Sequence, residues 1–247
     1  MAHVLTLARW KTALNGSGCP VCRLAQEAGH DFLIHVLREG KAHADVYERV
    51  REAGGFCEDH TRVLRRLGVE RLGDRRSLAR LYGWLLDDLA SDRTPRGSCP
   101  ACEAAMEYER VSLTALRDLL HPVTGDPDLR ERFEQGEGLC LGHFVAAASL
   151  VEDGESLRIL TDAQARSWDV LSRDLKEYLR KHDYRFSREP KTPAEEQSWI
   201  RAVATISGIP LEIAGHSSEE AHPLLVRMSE LGGPPSPGLT WGAPGEQ

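Results

Sequence analysis

Six cysteines and two histidines stand in this sequence at spacings that suit metal coordination. Cys19-Pro-Val-Cys22 is followed after 34 intervening residues by Cys57-Glu-Asp-His60, and Cys99-Pro-Ala-Cys102 is followed after 37 by Cys140-Leu-Gly-His143. In C-P-x-C the two sulfurs can converge on one ion while the proline begins a helix. In C-x-x-H the two ligands share one face of a helix. Three thiolates and one imidazole make a closed, tetrahedral site of the structural zinc type.

The motifs are arranged as a duplication. Both cysteines of the first C-P-x-C recur 80 residues later, and both ligands of the first C-x-x-H recur 83 residues later. We therefore predict two zinc-binding repeats, 19–93 and 99–183, and two zinc ions per chain. A duplicated unit is most simply self-contained, so each repeat is expected to hold its own site. The expected ligand sets are Cys19, Cys22, Cys57 and His60 in the first repeat, and Cys99, Cys102, Cys140 and His143 in the second.

The elements that carry these motifs are predicted to be helices. Proline is absent between Pro20 and Pro95, and again between Pro127 and Pro190, while apolar residues recur at helical spacing. Glycines at 40, 54 and 68 are expected to break the first repeat into four helices, and the second repeat should match it. The prediction is an all-α fold of two four-helix repeats packed through their fourth helices. An N-terminal helix (1–18), a C-terminal helical segment (192–231) and a disordered tail (232–247) complete it.

Charge and composition limit the possible partners. The 247 residues carry a net charge of −7, which argues against general binding to nucleic acid. One local exception is the arginine cluster (Arg62, Arg65, Arg66, Arg71, Arg75, Arg76 and Arg80), which is most simply a solvated helix face. The apolar runs are too short for a membrane helix, and no secretory signal is expected. A cytoplasmic location follows as the expectation, where paired thiols are more often metal ligands than disulfides.

Other chemistry of paired cysteines fits less well. A disulfide framework leaves the matched histidines unexplained, and the glutaredoxin motif needs a preceding strand that is not predicted here. Haem attachment needs histidine directly after the second cysteine, where Arg23 and Glu103 stand. Zinc deaminases place proline before C-x-x-C, where Gly18 and Ser98 stand. An iron–sulfur cluster stays open as an alternative, although three cysteines and one histidine are less usual for clusters than four cysteines.

The order C-P-x-C-R, then a helix, then G-F-C-x-x-H, resembles an uncharacterised family of bacterial proteins that carry these motifs in pairs. The resemblance covers residues 19–183, and the segment around Trp199 is similar to that family's C-terminal part. It implies metal binding by the eight cysteine and histidine residues named above, and no activity comes with it. In the second copy Leu139 and Glu103 depart from the pattern.

The function expected from the sequence is a structural or interaction role, with an unidentified protein as partner. A thiol-redox sensor is the second possibility, because zinc-bound thiolates can be oxidised and release the metal. Nucleic-acid binding through the arginine cluster is the third. An enzyme is not expected, since four protein ligands leave no position for water or substrate. Glu27 and Glu107, which recur in the two copies, are considered as partners that orient the metal histidines, although a surface position is the simpler interpretation.

Overall fold

The structure, a computed structural model, describes residues 2–39, 44–91, 93–186 and 188–208. Within these ranges every regular element is helical, which confirms the all-α prediction. The tail 232–247 and the part of the C-terminal segment beyond residue 208 lie outside the described residues. The helices are α1 (Ala2–Leu14), α2 (Pro20–Glu39), α3 (Ala44–Glu52), α4 (Glu58–Arg66), α5 (Arg75–Ala90), α6 (Pro100–Leu120), α7 (Pro127–Gln135), α8 (Leu141–Leu150), α9 (Gly154–His182) and α10 (Pro193–Ser207).

Equivalent caps relate the fourth helices of the two repeats. The Asp74 side chain accepts a hydrogen bond from the backbone N–H of Ser77, and Asp153 accepts one from Ser156 in the same way. Between the motif histidine and this cap the first repeat has four more residues than the second. These extra residues lie where the chain continues from α4 into a π-helical turn, Leu67–Arg71. The insertion lowers the offset between the repeats from 83 residues at the motif histidines to 79 at the capping aspartates.

The two repeats pack together through their first helices, α2 and α6, which make the most extensive helix contact of the described residues. The prediction that the fourth helices join the repeats is therefore wrong. Gly29, midway along α2, lies against the start of α6: a methyl group at Gly29 would be 3.4 Å from the Ala101 carbonyl oxygen and 3.7 Å from Ala105 Cβ. At the other end of the contact, Glu109 of α6 reaches the ligands beside the start of α2. The two helices consequently run antiparallel.

This antiparallel pair divides the apolar interior into two cores. Lobe 1 packs the C-terminal half of α2 with α3, α4, α5 and the start of α6; its buried residues include Leu33, Val36, Val50, Leu64 and Leu81. Lobe 2 packs the C-terminal half of α6 with α7, α8, α9, the start of α2 and α1; its buried residues include Trp10, Leu24, Leu116, Phe133 and Leu160. Each lobe thus contains the first turns of the other repeat's first helix.

Helix α10 belongs to lobe 2 and packs on α8 and α9. Its start is a capping box: Thr192 accepts from the N–H of Glu195, and the Glu195 carboxylate accepts from the N–H of Thr192. Glu195 also accepts hydrogen bonds from Lys181 of α9 at 2.7 and 2.8 Å, with both residues buried. α10 is therefore fixed to α9 at its N-terminal end.

Candidate metal centres

Four of the predicted ligands meet in lobe 2, where they form what we call the lobe 2 centre: Cys19, Cys22, Cys140 and His143. The Nδ1 atom of His143 lies 3.3 Å from the sulfurs of Cys19 and Cys22 and 3.2 Å from that of Cys140. The sulfurs of Cys22 and Cys140 are 3.6 Å apart. These two cysteines are buried, with exposed fractions of 9% and 3%.

The other four predicted ligands form the lobe 1 centre: Cys57, His60, Cys99 and Cys102. Here the Nδ1 atom of His60 lies 3.2 Å from the Cys57 sulfur, 3.3 Å from that of Cys102 and 3.6 Å from that of Cys99. The sulfurs of Cys57 and Cys102 are 3.7 Å apart. The cysteines of this centre are half-buried.

These distances fit a tetrahedral zinc site. Bonds of about 2.3 Å to sulfur and about 2.0–2.1 Å to nitrogen place two ligand sulfurs about 3.8 Å apart, and a sulfur and a nitrogen about 3.5 Å apart. The observed sulfur–sulfur separations of 3.6 and 3.7 Å and sulfur–nitrogen separations of 3.2–3.6 Å lie close to these values. The same sulfur separations are far longer than a disulfide bond. In both centres the histidine presents Nδ1 to the ligand cluster.

The predicted pairing of the ligands is corrected by the structure. Each C-P-x-C meets the C-x-x-H of the other repeat, and neither repeat holds a complete set of four ligands. The reason is that α3, α4 and α5 pack on the C-terminal half of α2, whereas Cys22 lies 15 residues before Leu37, about 22 Å away along the helix. The antiparallel α6 brings its own first turn to lobe 1 instead.

Both centres lie at helix N-termini. The first ligand of every motif directly precedes a helix: Cys19 precedes α2, Cys57 α4, Cys99 α6 and Cys140 α8. As predicted, the proline of each C-P-x-C is the first helical residue. Two helix starts therefore meet at each centre, and their positive dipole ends favour thiolate over thiol.

The ligand side chains of the lobe 2 centre shift one another's pKa values. Hydrogen bonds from Cys19 and Cys22 lower the pKa of Cys140, while the contact with Cys140 raises the pKa of Cys22. Burial lowers the pKa of His143, but the hydrogen bonds with the Cys140 and Cys19 sulfurs outweigh it and raise this pKa to about 11. A metal that binds here must displace protons, as metal binding to thiol and imidazole ligands requires.

The lobe 1 centre differs in its electrostatics. Burial raises the pKa of Cys102 to about 12, with the contact to Cys57 acting in the same direction. Burial also lowers the pKa of His60, and the nearby His30 lowers it further. His60 is consequently closer to the neutral form that a metal needs.

The outer nitrogen of His143 is held by a carboxylate that the sequence analysis missed. His143 Nε2 lies 3.2 Å from Glu109 Oε1, so the imidazole can donate its N–H to Glu109 and present Nδ1 to the metal. The acceptor is therefore neither Glu27 nor Glu107; Glu107 pairs with Arg110 of the same helix at 2.7 Å. Glu109 lies seven residues after Cys102, on the same helix face, and the antiparallel packing carries it to the other centre.

The backbone beside the lobe 2 centre is also held by side chains. Gln164, fully buried on α9, accepts from the N–H of Leu139 at 2.8 Å and donates to the Leu139 carbonyl at 3.1 Å. Glu137 accepts from the N–H of Gly18 at 2.6 Å. The residues just before Cys140 and Cys19 are thereby fixed, and with them the positions of two sulfurs.

The arginine cluster lies on α4, the π-helical turn and α5. All of its members except Arg80 are exposed. Arg62 pairs with Glu58 one turn earlier on α4 and approaches Asp59 at 3.9 Å. These contacts agree with a solvated helix face. They add no support for nucleic-acid binding, which stays a prediction from the sequence.

Comparisons with known proteins return no relative: no family model, no curated protein and no solved structure matches this chain. Among the described residues, no helix combines the length and the apolar character that crossing a membrane demands.

Proposed function

We propose that this chain is a zinc-binding helical protein whose two Cys₃His centres have a structural role. The observation that carries the proposal is the assembly of eight ligand atoms into two groups, each within 4.8 Å, with separations that suit tetrahedral zinc. Each group contains ligands from both repeats. The metal would therefore tie the repeats to each other as well as fix the helix starts.

Zinc is favoured over the alternatives by the ligand set. Three sulfurs and one nitrogen at tetrahedral separations suit a single ion, and iron–sulfur clusters usually take four cysteines. With four protein ligands, each centre is closed, which supports a protein that is not an enzyme. The resemblance to the bacterial family with paired motifs stays a prediction that agrees with this proposal.

An interaction or scaffold role is the second part of the proposal. It is supported by α10, which exposes Trp199, Val203 and Ile206 at positions that share one helix face. Exposed apolar side chains grouped in this way are typical of contact surfaces.

Metal analysis of the purified chain tests the proposal directly. We expect two zinc ions per chain, and a cobalt-substituted sample should show the absorption of tetrahedral, sulfur-rich coordination. The matched variants Cys57→Ser and Cys140→Ser should each lose one ion. Alkylation of zinc-loaded Cys57→Ser should further show Cys99 and Cys102 reactive while Cys19, Cys22 and Cys140 stay protected, which identifies the centre that is lost. A chain purified without chelators that holds no zinc, or that shows iron–sulfur absorption, would exclude the proposed role.

A further inference from the structure

The two centres are related by the duplication, yet the side chains that surround them differ at equivalent positions. Seven residues after the second cysteine of C-P-x-C stands Glu109 in the second repeat and Gly29 in the first. Glu109 bonds the outer nitrogen of His143. His60 meets Gly29 instead, where even a methyl group would lie 3.1 Å from Nε2. The lobe 1 histidine thus has no carboxylate at the place where the lobe 2 histidine has one.

The loops that lead into the two C-x-x-H motifs also contact different side chains: a polar one in the second repeat and an apolar one in the first. Eleven residues after the capping aspartate stands Gln164 in the second repeat and Leu85 in the first. Gln164 makes two hydrogen bonds with the backbone of Leu139. Leu85 Cδ1 lies 3.4 Å from where a methyl group on Gly55 would lie, and the Phe56 carbonyl, the counterpart of the Leu139 carbonyl, accepts from the Thr61 hydroxyl at 3.3 Å. Gln164 thus supplies two hydrogen bonds to its loop, whereas the apolar side chain of Leu85 supplies none.

The loops before the C-P-x-C motifs show a further difference. In the second repeat Glu137 stands three residues before Cys140 of the C-x-x-H motif. Its carboxylate accepts from the N–H of Gly18, which directly precedes Cys19, at 2.6 Å. Gly54 stands at the equivalent place in the first repeat and supplies no carboxylate; the loop before Cys99 is tied there by the backbone alone, where the Arg96 N–H donates to the Glu52 carbonyl at 2.6 Å. Ser98, the counterpart of Gly18, directs its hydroxyl to Glu103 within its own helix start.

Helix α10 covers the lobe 2 centre in addition. The carbonyl oxygen of Gly208, just after α10, lies 3.4 Å from the Cys22 sulfur. A methyl group on Gly208 would lie 3.5 Å from the Cys140 sulfur. In the lobe 2 centre Cys22 and Cys140 are buried and Cys19 is half-buried, whereas all three cysteines of the lobe 1 centre are half-buried. A small reagent therefore meets more sulfur surface at the lobe 1 centre.

From these differences we infer that the lobe 1 centre is an oxidation site for hydroperoxides, at which Cys57 and Cys102 form a disulfide and the metal is released, while the lobe 2 centre keeps its metal. This inference rests on the proposed zinc binding. It assigns the two centres different tasks: one is permanently structural and the other responds to oxidant.

The reaction is balanced with hydrogen peroxide as the oxidant. The Cys57 thiolate attacks one peroxide oxygen, an S–O bond forms, the O–O bond breaks, and the departing hydroxide takes a proton from solvent. The Cys102 thiolate, 3.7 Å away, then attacks this sulfur; the S–S bond forms, the S–O bond breaks, and the second hydroxide is protonated to water. The two sulfurs lose two electrons, which the peroxide gains. Only Cys99 and His60 remain as ligands, too few to retain the metal.

The test follows zinc release from the purified, zinc-loaded full chain under hydrogen peroxide, with a chromophoric chelator as the reporter. We expect two phases of about one zinc each, with the slow phase at least about tenfold slower, as the loss of outer hydrogen-bond partners suggests. Differential alkylation and mass spectrometry at the end of the fast phase should show Cys57 and Cys102 oxidised, with Cys22 and Cys140 still reduced. Added reductant and zinc should restore the starting state.

Matched variants assign the phases. Cys140→Ser should keep only the fast phase, and Cys57→Ser only the slow one; if either fails to fold, the alkylation pattern of the unmodified chain decides alone. Release of both ions at one rate, or earlier oxidation of Cys22 and Cys140, would overturn the inference and leave the zinc proposal intact. A chain that contains no zinc before peroxide is added would instead overturn the zinc proposal.

Discussion

The contact between Glu109 and His143 provides a measurable test of how the lobe 2 centre is built. The carboxylate accepts from Nε2 at 3.2 Å and so fixes the ring with Nδ1 toward the sulfurs. Glu109→Ala removes this acceptor, and because alanine is the best helix former the substitution should not weaken α6 itself. The affected quantity is the affinity of the lobe 2 centre for zinc.

The size of the effect follows from the geometry. Loss of such a partner typically costs 10- to 100-fold in metal affinity, or about 1.4–2.7 kcal/mol. The Glu109 side chain is 42% exposed and its contact is long for a charged hydrogen bond, so solvent screens part of the interaction. We therefore expect a loss near the lower end, about tenfold. Glu109→Gln keeps an acceptor oxygen and should lose less.

The assay is a competition for zinc between the protein and a chromophoric chelator, in a Cys57→Ser background that leaves only the lobe 2 centre complete. Glu107→Ala is the matched control, because Glu107 lies two residues away on the same helix and pairs with Arg110. Equal affinities for Glu109→Ala and the parent, or an equal loss in the Glu107→Ala control, would refute the role assigned to Glu109.

Three further predictions concern stability. Removal of the metal by a strong chelator should lower the melting temperature and helicity sharply, since structural zinc supplies on the order of 10 kcal/mol in small domains. Zinc with reductant should restore both. An unchanged circular dichroism spectrum would contradict this prediction. Gln164→Leu leaves the N–H and carbonyl of Leu139 without hydrogen-bond partners, at a cost of about 1–3 kcal/mol each. Urea unfolding should therefore show a lower free energy of unfolding, which the exposed control Gln135→Leu should not. The hydrogen bond with Lys181 lowers the pKa of Glu195 in the folded protein. The stability that this pair contributes is therefore fully present above the pKa of about 4.3 in the unfolded chain, and it is lost as the pH falls through the lower folded pKa. Lys181→Met should flatten that part of the pH–stability curve.

The helices were predictable from local signals. Pro20, Pro100 and Pro127 each begin a helix, and the Thr192 cap with Glu195 three residues later marks the start of α10. Such signals act over one helical turn and need no knowledge of the packing. The eight candidate ligands were likewise selected from residue type and spacing alone, because the chemistry of C-x-x-C and C-x-x-H is local.

The pairing of the motifs was not predictable in this way. A site closed within one repeat and a site closed between repeats contain the same residue types, and loop-closure entropy differs little between them. The choice depends on which half of α2 the other helices cover and on the close, antiparallel approach at Gly29. Glu109 was missed for the same reason: its role appears only when α6 is placed beside the start of α2.

Because each centre takes ligands from both repeats, the duplicated unit is not a self-contained metal site. A repeat on its own has one C-P-x-C and one C-x-x-H, but α2 holds them at opposite ends, one in each lobe. Neither repeat can therefore close a centre by itself, and each lobe core lacks residues when the other repeat is removed. Under the proposed zinc binding, metal binding and the packing of α2 against α6 are coupled, because each centre takes ligands from both repeats. We expect this coupled structure to open first at the lobe 1 centre, because neither Glu109 nor Gln164 has a side-chain counterpart there.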